Sequence, residues 1–363
     1  MPIKFNPIFT ISANIARNLM RIEGAKEQIS QCPLTSKVLA SLRETARLYT
    51  THYSTMIEGN RLTIPQVKAV LHKDSHFIGR ERDEREVKGY YIALTYVEHC
   101  AQQEVKVTEK IVQTLHALVM AGGKEKVKPT PYRDGQNVIR DGRSGAIVYM
   151  PPEAKDVLAL MHSLINWIQE SYNDLPCPIV AAIVHYQFAT IHPYYDGNGR
   201  TARLLTTLVL HLGGYGLKGI YSLEEYYARD LGAYYEAISI GDSHNYYMGR
   251  AETDITKWID YFIEGMATSC ENIARSMIHL STSETIDQSQ LLRSLDPRQR
   301  KALPLFRVYD VVTSKQIGQL FGFQPRTSTH ICQEWVERGF LEVVDDSKKG
   351  RKYKLALQYI SLL

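Results

Sequence analysis

No two of the five cysteines stand in CxxC spacing. Cys32, Cys100, Cys177, Cys270 and Cys332 are scattered and odd in number, which excludes a disulfide-stapled scaffold and points to free thiols in a reducing compartment, by default the cytoplasm. No apolar run reaches the roughly 20 residues of a membrane span, and Lys4, Asn6, Asn14 and Arg17 interrupt the apolar residues at the N-terminus, so neither a spanning helix nor a signal-peptide core is expected. Charge of one sign is not in excess: 43 Lys+Arg stand against 39 Asp+Glu, net +4. That balance excludes a protein that coats nucleic acid over its whole surface and leaves room for a local basic patch. Fixed-period repeats and low-complexity blocks are also missing, which excludes a solenoid. What remains is globular: 44% hydrophobic and 23% charged residues over 363 positions, enough for two or three domains with a real core.

One stretch concentrates chemistry. His192-Pro193-Tyr194-Tyr195-Asp196-Gly197-Asn198-Gly199-Arg200-Thr201-Ala202-Arg203 lies between two segments with apolar residues at helical spacing, Ile179 to Ile191 before it and Leu204, Leu205, Leu208 and Val209 after it. Pro193 steers His192 away from helical dihedrals, so the first helix ends there, while Gly197 and Gly199 allow a tight turn with exposed amides. A helix N-terminus that follows such a turn is an anion site, and Arg200 and Arg203 add positive charge to it. The expected ligand is a polyphosphate. Asp196 would bring a divalent cation to the same phosphates, and His192 at the entrance of the loop could take a proton from a hydroxyl. His185, two turns earlier, is expected to be a hydrogen-bonded core histidine, because helical metal pairs favour i,i+4 spacing.

The stretch closely resembles the Fic family signature HPFxDGNGRxxR, matching every position except Tyr194, where the family usually has phenylalanine. The resemblance implies a mainly α fold: a Fic-type helical bundle with a β-hairpin flap. It implies transfer of AMP from ATP to a hydroxyl side chain of a protein, with His192 as the base. Asp196 would hold Mg²⁺ or Mn²⁺; Gly197, Asn198, Gly199 and Arg200 would stabilise the α- and β-phosphates and Arg203 the γ-phosphate. Gly199 argues against the kinase-like relatives, which carry lysine there; phosphocholine transfer stays open.

Upstream, Ile11 to Ile29 reads as a helix, and Ser36 starts a longer one carrying Val38, Leu39, Leu42, Ala46, Leu48 and Tyr49. Taken alone, the Glu58-Gly59 that ends it is a plain helix terminus. Ser54, Glu58 and Gly59 nevertheless resemble the family's inhibitory motif [S/T]xxxE[G/N], which implies an N-terminal self-inhibited class in which Glu58 pairs with Arg203. The same glutamate raises removal of AMP as a second activity. Helices are expected over 63–71, 84–99 and 108–119. The residues from Tyr132 to Pro152, with Gly135, Gly142 and Gly145 between short β-type pieces, read as a hairpin with a glycine-rich tip. Its place resembles the family's flap, so Ile139, Ala146, Ile147, Val148 and Tyr149 are the candidate docking edge for a target segment.

Downstream of the signature, Tyr234 and Tyr235 resemble the tyrosine-bearing helix that closes over adenine, although Asp242 stands where many relatives have asparagine. A helix from about Thr253 to Leu280 closes the core. Residues 281–296 are polar and read as a linker. From 297 onward, helices at Ser314 to Phe321 and Pro325 to Arg338 followed by Phe340 to Val344 and Tyr353 to Leu355 resemble a winged helix-turn-helix. Lys348, Lys349, Arg351, Lys352 and Lys354 are then wing residues, and Arg326 and His330 lie on the second helix.

The expected organisation is an N-terminal helical region (1–104, inhibitory motif 54–60), a catalytic core (105–280, flap 137–150, signature 192–203), a linker (281–296) and a C-terminal winged-helix domain (297–363). The first functional reading is a protein adenylyltransferase acting on Ser, Thr or Tyr and inhibited by Glu58. Its partners would be ATP, a protein with an exposed hydroxyl and, by family analogy, a second copy of the chain; no membrane is expected. The alternative is a nucleotide-sensing transcription regulator that binds DNA, or a protein partner, through residues 297–363.

Overall fold

A computed structural model of the chain describes residues 4–363 except 35, 73–74, 141–143, 173, 242–243, 284–287, 310, 346, 348–350 and 363. Two compact units are present, residues 1–277 and 278–363.

The first unit is helical and is built outward from its most apolar segment. Helix α7 (Cys177–Ile191) is buried on every side except at Cys177 and Ala189, as expected of a helix with apolar residues all round. Its core neighbours are α6 (Ala154–Ser171) and α8 (Asn198–Leu212), and α8 in turn packs against α4 (Glu81–Gln102) and α5 (Glu109–Met120). The indole of Trp258, on α11 (Thr256–Ser283), donates to the Ala182 carbonyl at 2.7 Å, so the closing helix is pinned to the middle of α7. Helix α1 (Ala13–Gln31) is capped by Ser12, whose hydroxyl accepts from the Ile15 amide; Thr108 does the same for α5 through Ile111.

The elements around the site depend on local backbone chemistry. Helix α2 (Ser36–Ile57) stops one residue earlier than the sequence suggests, and Glu58 lies in the closing turn, held by its amide on the Thr55 carbonyl. Gly59 at φ 91° completes that turn, a conformation costly for any residue with a Cβ. The short α3 (Ile64–His72) follows. The hairpin is small: β1 (Ile139–Arg140) pairs antiparallel with β2 (Ile147–Tyr149), with a register shift at the first pair. At its tip residues 141–143, Gly142 among them, lie outside the described residues, while Gly145 turns at φ 69°. The base is tied down where Met150 donates to the His244 carbonyl and accepts from the Tyr246 amide, at 2.7 and 3.0 Å. Helices α9 (Glu224–Arg229) and α10 (Leu231–Ile238) cover the other side of the site.

The second unit corrects the sequence reading at its start. The stretch expected to be a linker contains helix α12 (Gln288–Ser294), and Leu291 and Leu295 pack into the unit's core with Phe306, Ile317, Trp335 and Phe340. Its composition is polar, yet the spacing of these leucines suffices to anchor one turn of helix. Then come α13 (Pro297–Val308), opened by an Asp296–Gln299 capping box, β3 (Val312–Thr313), α14 (Ser314–Phe321), α15 (Pro325–Glu337), β4 (Leu341–Asp345) and β5 (Lys352–Leu355). The sheet is antiparallel in the order β3-β5-β4. Helices α14 and α15 cross at Gly318, where an added Cβ would lie 2.4 Å from the Ser328 hydroxyl.

Among the described residues no helix is long and apolar enough to cross a membrane, and all five cysteines are unpaired.

Candidate active site

Pro193 does exclude a helical conformation at His192, but the backbone turns into the left-handed region, φ 51° and ψ 59°, rather than into the extended one. The reason is tertiary. The His192 amide still closes the last turn of α7 on the Phe188 carbonyl, while its own carbonyl accepts from Arg133 Nε at 2.9 Å. Arg133 is buried and spends its remaining donors on the Gly135 and Pro152 carbonyls, and its amide on Pro193. One guanidinium thus joins the end of α7 to both feet of the hairpin.

That strained position aims the imidazole. Nδ1 of His192 lies 3.3 Å from the Ala189 carbonyl; a carbonyl can only accept, so this bond places the proton on Nδ1 and leaves Nε2 with its lone pair. Burial lowers the His192 pKa to about 4, against a partial rise from its Ala189 bond. The ring is therefore neutral at pH 7.

The loop after it is self-bracing. Asn198 is buried and uses both ends of its amide on Tyr194, accepting from the backbone N–H at 2.9 Å and donating to the carbonyl at 2.7 Å. His116, stacked on Tyr194 at 3.6 Å, reaches the Asp196 carbonyl with Nε2 at 2.9 Å. Gly197 is the N-cap of α8 at φ 76°. A Cβ there would lie 2.9 Å from Met120 Sδ and 3.3 Å from His116 Nε2, whereas one on Gly199 would lie 2.2 Å from Glu58 Oε1 and 3.3 Å from Arg203 Nη1, the ends of two side chains. We therefore expect Gly197→Ala to lower the melting temperature by several degrees, from about 1–2 kcal/mol of left-handed strain plus the clash, and Gly199→Ala to leave it nearly unchanged while displacing Glu58; differential scanning fluorimetry of the two variants reads the contrast.

Glu58 meets Arg203 directly. Arg203 is fully buried; Nη2 donates to Glu58 Oε1 at 2.7 Å and to the Ser54 carbonyl at 2.8 Å, and Nε donates to the Ser54 hydroxyl at 2.7 Å. Burial opposes its charge, and Glu58 more than offsets this, so its pKa is raised above the ordinary arginine value. Arg200 is also buried, with Nη2 3.4 Å from Asp196 Oδ1 and Nη1 4.0 Å from Glu86. Asp196 itself is exposed and accepts from the Gly197 amide at 2.6 Å.

A cleft of about 610 Å³ joins these parts. It is lined by His192, Asn198, Gly199, Arg203 and Glu58, by Ile139, Arg140, Val148 and Tyr149 of the hairpin, and by Tyr234, Tyr235, Ile238, Ser239 and Arg250. Gly197, Arg200, Asp196, Ser54 and Gly59 stand behind or beside that lining. Ile147, 43% exposed, faces a neighbouring groove with Met150 instead, and Ala146 is exposed near the tip. Of the two tyrosines, Tyr234 is largely a core residue, stacked on Tyr227 and bonded through its hydroxyl to His185 Nε2 at 3.1 Å; Tyr235 is half exposed and bonds the Ile57 carbonyl. His185 is the satisfied core histidine expected, with Thr206 on Nδ1. Asp242 lies outside the described residues. Sequence reasoning missed Arg133 and His116, which carry no local pattern and act only through distant loops.

The site is thus a glycine-bent loop between two buried helices of a helical domain, with a neutral imidazole at its start and an arginine paired with Glu58 on the helix after it. Residues 106–210 match the sequence model of the Fic/DOC family, so the chain carries a Fic/DOC domain. Curated relatives named protein adenylyltransferase Fic from Drosophila willistoni and Drosophila virilis are each 28% identical over 201 residues, 55% of this chain. The chain matches only 39% and 40% of their lengths. Among solved structures, a Fic family protein from Desulfovibrio desulfuricans G20 superposes with a TM-score of 0.64 at 23% identity, covering 97% of this chain and 99% of that one. Residues 134–508 of Fic-1 from C. elegans give 0.59 at 20% identity, covering 76% and 74%. These likenesses establish the fold.

Proposed function

We propose that this chain is a protein adenylyltransferase that transfers AMP from ATP to a Ser, Thr or Tyr hydroxyl and is held inactive by Glu58. The observation that carries the reading is a shared cleft: the free Nε2 of His192 and the Glu58-blocked guanidinium of Arg203 stand at the two ends of one glycine-rich helix start. His192 takes the proton of the incoming hydroxyl, whose oxygen attacks the α-phosphorus. The bond from that phosphorus to the bridging oxygen breaks, and pyrophosphate leaves. The amides opening α8 and the cations Arg200 and Arg203 offset the charge of the phosphates. Side-chain amide contacts from Asn198 are not needed, because its amide braces Tyr194.

Asp196 suits a metal that arrives with the nucleotide: its side chain is 60% exposed and one oxygen is engaged only locally, while among the described residues no cluster of three or more ligands exists to hold an ion alone. Mg²⁺ or Mn²⁺ would supply charge neutralisation at the phosphates. Val148 and Tyr149 with Ile139 would hold the target segment, with Ala146 and Ile147 extending that edge outward, and Tyr235 with Tyr234 behind it would flank the adenine. Glu58 also equips the site for a separate removal reaction, orienting a water that attacks the phosphorus of the AMP–protein phosphodiester, so that the bond to the side-chain oxygen breaks and AMP and the free hydroxyl are released. Unpaired thiols suit a cytoplasmic protein. The test is label transfer to protein from α-labelled but not γ-labelled ATP, with Glu58→Gly as the active form.

A second reading concerns residues 297–363 and rests on charge. They hold 12 Lys+Arg against 6 Asp+Glu, while residues 1–296 hold 31 against 33. The element order fits a winged helix, and the exposed face of α15 offers Arg326, Thr327, Thr329, His330 and Gln333 before its first acid, Glu334, which pairs with Arg338 at 2.6 Å. We infer duplex DNA as a partner of this face. Of the proposed wing residues, Lys348 and Lys349 lie outside the described residues. Fluorescence anisotropy of the full chain on 20-base-pair duplexes is expected to show affinity falling steeply with salt and weakened by Arg326→Ala; absence of binding at 50 mM salt removes the reading.

A further inference from the structure

The turn that carries Glu58 is fastened from the residue beyond it. The amides of Glu58 and Asn60 both donate to the Thr55 carbonyl, at 3.0 and 3.1 Å, with Gly59 at φ 91° between them. A glycine is free to leave such a conformation, and the Asn60 side chain opposes that. Asn60 is 5% exposed. Its Nδ2 donates to the Asp83 carbonyl at 2.9 Å and to Glu86 Oε2 at 3.0 Å, one turn apart on α4, while its Oδ1 accepts from the Leu62 amide at 3.1 Å. Leu62, 2% exposed, then packs with Val67 and Val70 of α3 and Val87 of α4.

The amide has one consistent orientation. A carbonyl and a carboxylate need donors and the Leu62 N–H needs an acceptor, so both Asn60 N–H groups face α4. Glu86 is itself held, accepting from Arg82 Nε on its other oxygen at 2.9 Å, so the anchor does not follow the turn. Glu58, by contrast, meets Arg203 through one hydrogen bond, at 2.7 Å, from a side chain one-third exposed. A small swing of the turn is enough to break it. We propose that Asn60 is a positioning residue of the inhibition: it clamps the turn to α4 and thereby keeps the Glu58 carboxylate on Arg203. The inference rests on the reading of Glu58 as the lock. Asn60 lies outside the lining of the cleft, whereas Glu86 stands 4.0 Å from Arg200, so Asn60 is the partner to change.

AMP transfer from α-labelled ATP, measured per folded protein with Glu58 present and in the Glu58→Gly background, tests the clamp. With Glu58 present, Asn60→Ala is expected to raise transfer about 10-fold, the order set by losing a buried hydrogen bond to a charged acceptor. In the Glu58→Gly protein it is expected to change transfer by less than about 2-fold, because no carboxylate is left to hold. Asn60→Asp keeps the size and the acceptor for Leu62 but loses both donors, and is expected to activate in the same way. Transfer at or below the resting level in folded Asn60→Ala overturns the proposal and makes Asn60 a residue of the fold alone. An equal gain in both backgrounds overturns it too, because the effect would then fall on the reaction and not on the lock. If Glu58→Gly itself fails to raise transfer, the inhibitory role of Glu58 falls, and the clamp falls with it by that separate route. Should Asn60→Ala not fold, the Asn60→Asp result decides alone.

Discussion

Glu58→Gly is expected to raise AMP transfer about 10- to 150-fold, the range that a charge-assisted hydrogen bond worth roughly 1.5–3 kcal/mol implies when the ligand has to displace it. The Glu58 carboxylate lies 2.7 Å from Arg203 Nη2 and in contact range of the Gly199 backbone; on the proposed reading that is the place a terminal phosphate needs, so nucleotide would enter beside it without seating its γ-phosphate on the cation. Removal leaves the buried Arg203 guanidinium on its two Ser54 bonds alone, so a lower melting temperature is expected to accompany the gain. Gel autoradiography with α-labelled ATP and Mg²⁺ measures the gain on the chain itself and on lysate proteins. Glu58→Gln distinguishes charge from bulk: if it activates almost as far as glycine, the ion pair is the lock; if only glycine activates, the side chain's volume is. No gain from either variant means that Glu58 does not restrain the reaction.

Most of what positions this site was legible because it is local. The apolar spacing of Ile179 to Ile191 marks the buried helix, Thr108 marks the start of α5, and the Gly197-Asn198-Gly199 run marks the turn and the helix start behind it. The inhibitory pair could be named only through resemblance, since no periodicity brings Glu58 to Arg203, 145 positions later. Backbone sterics excluded the helical state at His192 and left two others; Arg133, supplied from the foot of the hairpin, decides between them. Asn198 shows what type and place alone leave out: besides lining the cleft, its side-chain amide braces Tyr194, as the cost of an unpaired buried polar group requires. Tyr234 likewise turned out to serve His185 and Tyr227 in the core as much as the cleft. Polar composition hid α12, whose anchors, Leu291 within it and Leu295 just after it, are a weak signal among serines and glutamines.

His192→Ala, introduced into the Glu58→Gly protein, is expected to lower transfer by roughly 10²- to 10⁴-fold, the usual contribution of a general base, while ATP binding persists because the phosphate contacts sit on α8. The pH profile of the parent variant tests the role more sharply than the loss does. A histidine acts as a base only when neutral, and burial holds this one near a pKa of about 4 rather than 6.5. The competent form is therefore present at every pH above that value and is lost as the pH falls through it. Glu58 pulls the His192 pKa upward, so deleting it moves the transition further into acid. Transfer per bound ATP is expected to stay flat from about pH 8 down to about pH 5.5, where an imidazole with the ordinary pKa of about 6.5 would have lost some nine-tenths of its base form. A half-maximal point near 6.5 would mean that the ring titrates in contact with water and that the wall formed by Ala189, Arg133 and the hairpin does not close over it. Retention of transfer in His192→Ala would move the base to another group and leave the imidazole as a cap on α7.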